Sequence, residues 1–154
     1  MEKQEIYNLK EKKEYLKEVI ILEHMEWADN PSLNINERIN KKCKKVELQL
    51  EQNDFCKLIL LKDNDLAGFI SIFPHDCDEE NDLTPWYATM YVKEKYRGKG
   101  YSKILNDAII KEAKKRGFKE LYLKSELDNY YEKFGAKYVK NINLTEKLYK
   151  FDIK

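Results

Sequence analysis

A change of apolar period halfway along the chain limits the architectures open to it. Ile35, Ile39, Cys43, Val46 and Leu50 recur at spacings of four, four, three and four, one stripe at helical period. Directly afterwards, residues 56–62 and 66–73 are apolar runs of strand length, and Asp63-Asn64 between them suits a tight hairpin turn. The run Leu66-Ala67-Gly68-Phe69-Ile70-Ser71-Ile72-Phe73 is apolar on both faces. A strand of that kind belongs in a sheet covered on both sides.

The other segments fit around such a sheet. Residues 4–8 read as a short edge strand. Residues 10–27 read as a helix with Leu16, Val19, Ile20 and Trp27 on one face, ended by Asn30-Pro31-Ser32. Asn34 followed by Glu37 resembles a capping box for the helix after it. Pro74 stops the strand 66–73, an acidic loop spans 75–85, and 86–92 is another strand. A helix over 102–116 turns Ile104, Leu105, Ala108, Ile109 and Ala113 inward. Gly117 caps it, and Lys114, Lys115 and Arg116 complement its negative end. A strand over 119–124, a short helix over 128–134 ended by Gly135, and strands over 137–140 and 147–153 complete the chain. The order predicts a single mixed α/β domain over 1–154, with a central mixed sheet flanked by helices. Strands 86–92 and 119–124, joined by a helix, are expected to pair in parallel through a right-handed crossover.

Composition removes several classes. The 154 residues carry 29 Lys and Arg against 28 Asp and Glu, a net charge of +1. A nucleic-acid binder usually has a clear basic excess, so none is expected as a partner. No apolar run approaches the roughly 18 residues that a membrane-spanning helix needs. The start of the chain has no apolar core of a secretory signal. Cys43, Cys56 and Cys77 are odd in number and widely spaced, which is neither a disulfide framework nor a zinc pattern. A cytoplasmic location and no metal are the expectations.

The chemistry concentrates in Tyr91-Val92-Lys93-Glu94-Lys95-Tyr96-Arg97-Gly98-Lys99-Gly100-Tyr101-Ser102. A strand ends, a basic turn with two glycines follows, and a long amphipathic helix begins. Glycines let the backbone approach a ligand, and the free amides and dipole of a helix start favour an anion. Arg97 can grip a phosphate through two nitrogens, and Lys99 adds charge. The expected ligand carries phosphate or pyrophosphate. Neither G-x-x-x-x-G-K-[ST] nor G-x-G-x-x-G is present, so the two common nucleotide loops are not supported.

The segment from Leu83-Thr84-Pro85-Trp86 to Lys103-Ile104-Leu105 resembles the acetyl-CoA-binding motif of the GNAT acetyltransferase superfamily. Leu121-Tyr122-Leu123 followed by Tyr130-Tyr131-Glu132-Lys133-Phe134-Gly135-Ala136 is similar to that superfamily's later strand and tyrosine segment. The resemblance implies a GNAT-like fold and acetyl-CoA as donor. It implies that the backbone of Arg97, Gly98, Lys99, Gly100, Tyr101 and Ser102 binds the pyrophosphate and that Met90, Tyr91 and Val92 pair with the pantetheine arm. A backbone amide of that strand would polarise the thioester carbonyl, and Tyr131 would protonate the departing thiolate. The sequence departs from the superfamily pattern at Lys95, where Gln or Arg is usual, and in a short segment over 125–130. The resemblance also implies that the first two helices wall the acceptor site, near residues 24–40; dimers are common in that superfamily, which allows a homodimer without fixing the oligomeric state.

Two functional readings follow from that resemblance: an N-acetyltransferase acting on a primary amine of a small molecule or peptide, or a domain that binds acetyl-CoA without turnover. The loop His75-Asp76-Cys77-Asp78-Glu79-Glu80-Asn81-Asp82 is either a solvated surface loop or an acidic rim that attracts a cationic amine. In the second case Asp76, at a strand end, is the candidate base, because crowded carboxylates raise one another's pKa. His24 reads as a packing histidine. Lys41, Lys42, Lys44 and Lys45 read as a solvated face, with Cys43 turned inward. Trp86 reads as core or pocket wall.

Overall fold

The computed structural model describes residues 4–154. Seven strands, β1 (Gln4–Asn8), β2 (Cys56–Lys62), β3 (Asp65–Phe73), β4 (Trp86–Val92), β5 (Glu120–Ser125), β6 (Lys137–Asn141) and β7 (Lys147–Asp152), form one mixed sheet in the order β1-β2-β3-β4-β5-β7-β6. Its helices are α1 (Leu16–Trp27), α2 (Ile35–Gln49) and α3 (Tyr101–Lys115).

The period-two pattern of β2 and β3 sorts side chains onto two faces. Ile59, Leu61, Leu66 and Phe69 pack with Leu16, Val19 and Ile20 of α1 and Ile39 and Val46 of α2. Leu58, Leu60, Ala67 and Ile70 pack on the other face with Leu105, Ile109 and Ala113 of α3. Each large side chain among them, fully buried, contributes about 1.5–3 kcal/mol from the hydrophobic effect. Asp63 and Asn64 close the β2–β3 hairpin with φ of 50° and 69°, the left-handed conformation that a two-residue turn joining twisted strands favours.

β4 and β5 run parallel, as expected for strands joined through α3, but they pair only at Trp86 and Tyr122. The Tyr122 amide donates to the Pro85 carbonyl at 3.0 Å, and beyond that point the two strands part. On its other side β4 carries one residue more than β3 between the Ser71–Ala88 and Phe69–Tyr91 pairs. Thr89 takes up this bulge with φ 50°. A β-branched residue in that conformation costs about 1–3 kcal/mol and needs support from its surroundings.

Several local expectations are corrected. The helix expected from residue 10 begins at Leu16, after two one-turn 3-10 segments, Leu9–Glu11 and Lys13–Tyr15. Leu9, in the first of these segments, is fully buried and packs with Leu16, Val19 and Ile20 of α1. Trp27 is 50% exposed, and His24 takes the inward position on α1. Asn34 makes no side-chain cap. The Arg38 guanidinium organises that corner instead, donating to the carbonyls of Asp29, Asn30 and Leu33 at 2.8–3.1 Å. The short helix expected over 128–134 is one 3-10 turn, Tyr131–Phe134, preceded by Asn129 at φ 59°. Trp86 is core, its indole N–H donating to the Leu83 carbonyl at 2.8 Å.

Candidate active site

Two clefts open where β4 and β5 separate. The first, about 650 Å³, lies against the turn between β4 and α3. Gly98 and Gly100 have φ of 77° and 81°, and no atom lies within 4 Å of the place a β-carbon would occupy on either. The space above the turn is open, and the backbone forms its floor. The first hydrogen bond of α3 runs from the Ile104 amide to the Gly100 carbonyl, so the amides from Gly98 to Lys103 are free for a ligand, whereas the Arg97 amide, expected among the pyrophosphate donors, already donates to the Glu94 carbonyl at 3.2 Å. Arg97 Nε donates to the Val92 carbonyl at 2.9 Å, which anchors the guanidinium while leaving its two terminal nitrogens available. Lys103 and Lys133 also line this cleft. Free amides, a tethered guanidinium and uncovered glycines suit a pyrophosphate such as the one coenzyme A carries.

Met90, Tyr91, Val92, Arg97, Gly98, Gly100, Tyr101 and Ser102 all line the first cleft. Lys99 does not; its ammonium lies 5.9 Å from the Tyr96 ring centre. The Tyr101 side chain is buried in the core, so only its backbone can serve a ligand. Lys95 pairs with Asp65 at 3.0 Å, and the Tyr96 hydroxyl donates to the same carboxylate at 2.5 Å. Lys95 is thus paired with Asp65 and does not line the first cleft.

The second cleft, about 1190 Å³, lies on the side of α1, α2 and the loop after β3. Glu26, Met90, Leu127 and Tyr131 line both clefts, so the two join there. The Tyr131 ring stands edge-on to Tyr87 with centroids 5.8 Å apart, and Tyr87 is held in turn by its hydroxyl, which donates to buried Asn106 at 2.8 Å. Among the described residues no side chain bonds the Tyr131 hydroxyl. Burial pushes its pKa up to about 12, so it keeps its proton throughout the neutral range.

Asp76 lines the second cleft, and burial, only partly offset by Lys124, pushes its carboxyl up to about 6. Asp78, Glu79 and Asp82 of the same loop do not line it, and Glu80 is tied to Lys140. The acidic rim expected from loop 75–82 is thus reduced to Asp76. The remaining carboxylates of the cleft, Glu23, Glu26, Glu126 and Glu146, come from elsewhere. Lys42 belongs to this cleft as well, half-buried, with its ammonium 2.9 Å from His24 Nδ1. His24 Nε2 lies 2.8 Å from the Pro31 carbonyl and must donate to it, which leaves Nδ1 to accept from Lys42.

A row of polar groups that the sequence pattern did not single out crosses the sheet beneath this cleft. Lys57 on β2 is 1% exposed and pairs with Glu23 of α1. Its ammonium donates to Ser71 Oγ on β3 at 3.0 Å, and Ser71 Oγ lies 2.6 Å from Thr89 Oγ1 on β4. The ring centre of Phe73 is 4.6 Å from the Lys57 ammonium. Each of these residues is a polar group set in a mainly apolar strand, and that was the signal available in the sequence.

A split sheet with an anion-binding turn on one side and a carboxylate-bearing cleft on the other is the build of a two-substrate group-transfer site. The family model described as acetyltransferase (GNAT) family matches residues 19–136, and the chain belongs to that family. It is similar to the SPbeta prophage-derived uncharacterized N-acetyltransferase YokL of Bacillus subtilis (strain 168), 36% identical over 72 residues, which are 47% of this chain and 38% of YokL. The chain thus matches less than half the length of that relative. Among solved structures, an N-acetyltransferase from Staphylococcus aureus Mu50 superposes with a TM-score of 0.74 at 18% identity, covering 99% of each chain. The PaiA N-acetyltransferase of Thermoplasma acidophilum, in complex with coenzyme A, gives 0.65 at 23% identity, over 97% of this chain and 99% of that one. At these identities the likeness is one of fold. Among the described residues no helix is long and apolar enough to cross a membrane, and no three His, Cys, Asp or Glu side chains converge as a metal site would require.

Proposed function

We propose that the protein is an acetyl-CoA-dependent N-acetyltransferase that moves an acetyl group to a primary amine by direct attack. The observation that carries this reading is the junction of the two clefts at Met90 and Tyr131. Acetyl-CoA, when bound, supplies a thioester whose acyl carbon is open to an amine. Arg97 and the free amides from Gly98 to Ser102 hold its phosphates. The edge of β4 left unpaired by β5, at Met90, Tyr91 and Val92, offers backbone groups to the pantetheine arm and to the acyl oxygen. Tyr131 holds a proton at its hydroxyl oxygen beside the junction and donates to the leaving sulfur.

The amine comes from the second cleft. A primary amine is mostly protonated at neutral pH, so the site needs a base. Asp76, with a carboxyl near 6, is ionised there yet more basic than an ordinary aspartate; it takes the ammonium proton and passes it to solvent. The proton that the nitrogen loses after the neutral amine has attacked restores the Tyr131 hydroxyl, so amide, free thiol and one proton leave. PaiA in complex with coenzyme A supports the choice of donor through shared fold. The test pairs calorimetric titration of acetyl-CoA with an assay of thiol release over a panel of amines. Micromolar binding to wild type, its loss in Gly98→Glu, and amine-dependent thiol release are expected. Folded wild-type protein with no affinity for acetyl-CoA overturns the reading. Binding without release on any amine leaves a non-catalytic acetyl-CoA-binding domain.

A further inference from the structure

The polar row Glu23–Lys57–Ser71–Thr89 has a fixed direction. A lysine ammonium has three protons to donate and no lone pair to accept one. Lys57, paired with the Glu23 carboxylate and facing the Phe73 ring, donates to Ser71 Oγ. The Ser71 hydroxyl is fully buried and cannot return its own proton to Lys57. Its neighbour on the other side is Thr89 Oγ1 at 2.6 Å, a distance at which either hydroxyl could donate; because among the described residues the buried Ser71 proton meets no other side-chain acceptor, the bond is assigned from Ser71 to Thr89. The Thr89 proton is thereby turned away from the sheet. Thr89 lines the second cleft next to Met90, where the two clefts join, and among the described residues no other side chain receives that proton.

The same row supports the bulge. Thr89 sits at φ 50°, and the bond to Ser71 anchors it from a register position that β3 and β4 alone determine. Hydrogen-bond polarity and backbone conformation therefore combine to present one outward-facing donor at the reacting centre. An attacking neutral amine needs an acceptor for its proton, and a donor would occupy its lone pair. The atom at this junction that gains negative charge during acyl transfer is the acyl carbonyl oxygen, and it needs a donor.

We propose that Thr89 is a further catalytic residue whose hydroxyl donates to the acyl carbonyl oxygen, with Lys57 and Ser71 as positioning residues that aim its proton. This rests on the acetyltransferase reading above. No bond to Thr89 forms or breaks; its hydroxyl lends a hydrogen bond that strengthens as charge builds on the oxygen. This donor adds to the backbone amides of β4 and replaces none of them.

The test is the infrared carbonyl stretch of acetyl-CoA labelled with carbon-13 at the acetyl carbonyl, bound to wild type, Thr89→Ser, Thr89→Val, Thr89→Gly, Ser71→Ala and Lys57→Met. Thiol release and acetyl-CoA affinity are measured on the same proteins. Wild type and Thr89→Ser are expected to show the stretch shifted to lower wavenumber than in free acetyl-CoA. Thr89→Val and Thr89→Gly move it back toward the free value and lower kcat about 100-fold, with affinity within about twofold of wild type. Ser71→Ala and Lys57→Met move the stretch in the same direction by a smaller amount. Glycine accepts the left-handed backbone, so Thr89→Gly keeps the bulge even if Thr89→Val fails to fold. A wild-type stretch in Thr89→Gly, or kcat within about threefold of wild type, overturns the role of the hydroxyl while leaving the acetyltransferase reading intact. Failure of wild type to bind acetyl-CoA overturns both.

Discussion

Asp76 is ionised in a place that resists ionisation, and replacing it by asparagine separates what the site does from what the fold prefers. Its carboxyl rises from the ordinary 3.8 to about 6 because burial penalises the charged form. An acid raised on folding binds its proton more tightly in the folded state. The folded state is then favoured most below 3.8, loses stability as pH rises from 3.8 to about 6, and carries the full penalty above that. A rise of that size corresponds to about 3 kcal/mol at pH 7.5 and about half that at pH 5. Asp76→Asn has the same shape and no charge to desolvate. It is expected to be more stable than wild type by up to about 3 kcal/mol at pH 7.5, a rise of roughly 6 to 12 °C in Tm for a chain of this length. The gain is expected to shrink by half at pH 5. Amine-dependent thiol release is expected to fall about 100-fold in the same variant, and the acid limb of kcat/KM near pH 6 in wild type to disappear. Urea unfolding at the two pH values, beside the pH–rate profile, checks both halves. An Asp76→Asn protein no more stable than wild type at pH 7.5, or a gain independent of pH, refutes the desolvation argument; an unchanged acid limb refutes the role as base.

Three further outcomes follow from other parts of the site. Tyr131→Phe keeps the edge-on contact with Tyr87 and is expected to lower kcat about 100-fold with acetyl-CoA affinity unchanged; since burial raises the phenol to about 12, wild-type kcat is expected to show no basic limb from this group below about pH 10, and a titration of rate near pH 8 that Tyr131→Phe abolishes would contradict that. Arg97→Ala removes the tethered guanidinium and is expected to weaken acetyl-CoA binding about tenfold and to flatten its dependence on salt, which calorimetry at two ionic strengths measures. Gly68→Ala is a test of packing: the added β-carbon would lie 2.5 Å from the Tyr91 carbonyl oxygen and 3.2 Å from a Leu105 methyl, so a loss of about 1–3 kcal/mol in urea unfolding is expected, and a neutral change would mean that β3 and β4 shift apart freely.

Much of this protein was legible because the informative signals are local. Gly98 and Gly100 in the turn hold left-handed backbone that glycine adopts easily, and the stripe from Ile35 to Leu50 needs only its own periodicity to be recognised as a helix. The Asp63-Asn64 hairpin and the strand buried on both faces are of the same kind. The candidates on the phosphate side could be named from the sequence for this reason, and all of them but Lys99 line the first cleft.

What tertiary structure decided depends on which distant residues meet. Leu9, within the span expected to lead into the first helix, is instead buried in a cluster that residues of α1, α2, β2 and β3 create. Lys57, Ser71 and Thr89 lie 14 and 18 residues apart in the chain and touch only because the registers of β2, β3 and β4 bring them into one row. Asp76 differs from Asp78 and Asp82 only in the direction the loop turns it, and that direction sets its desolvation. The parting of β4 from β5 after a single pair opens both clefts, and no periodicity in either strand encodes it. Short-range conformational preference and apolar period are written into neighbouring residues, whereas strand register, burial and the field around a carboxylate are sums over the folded chain.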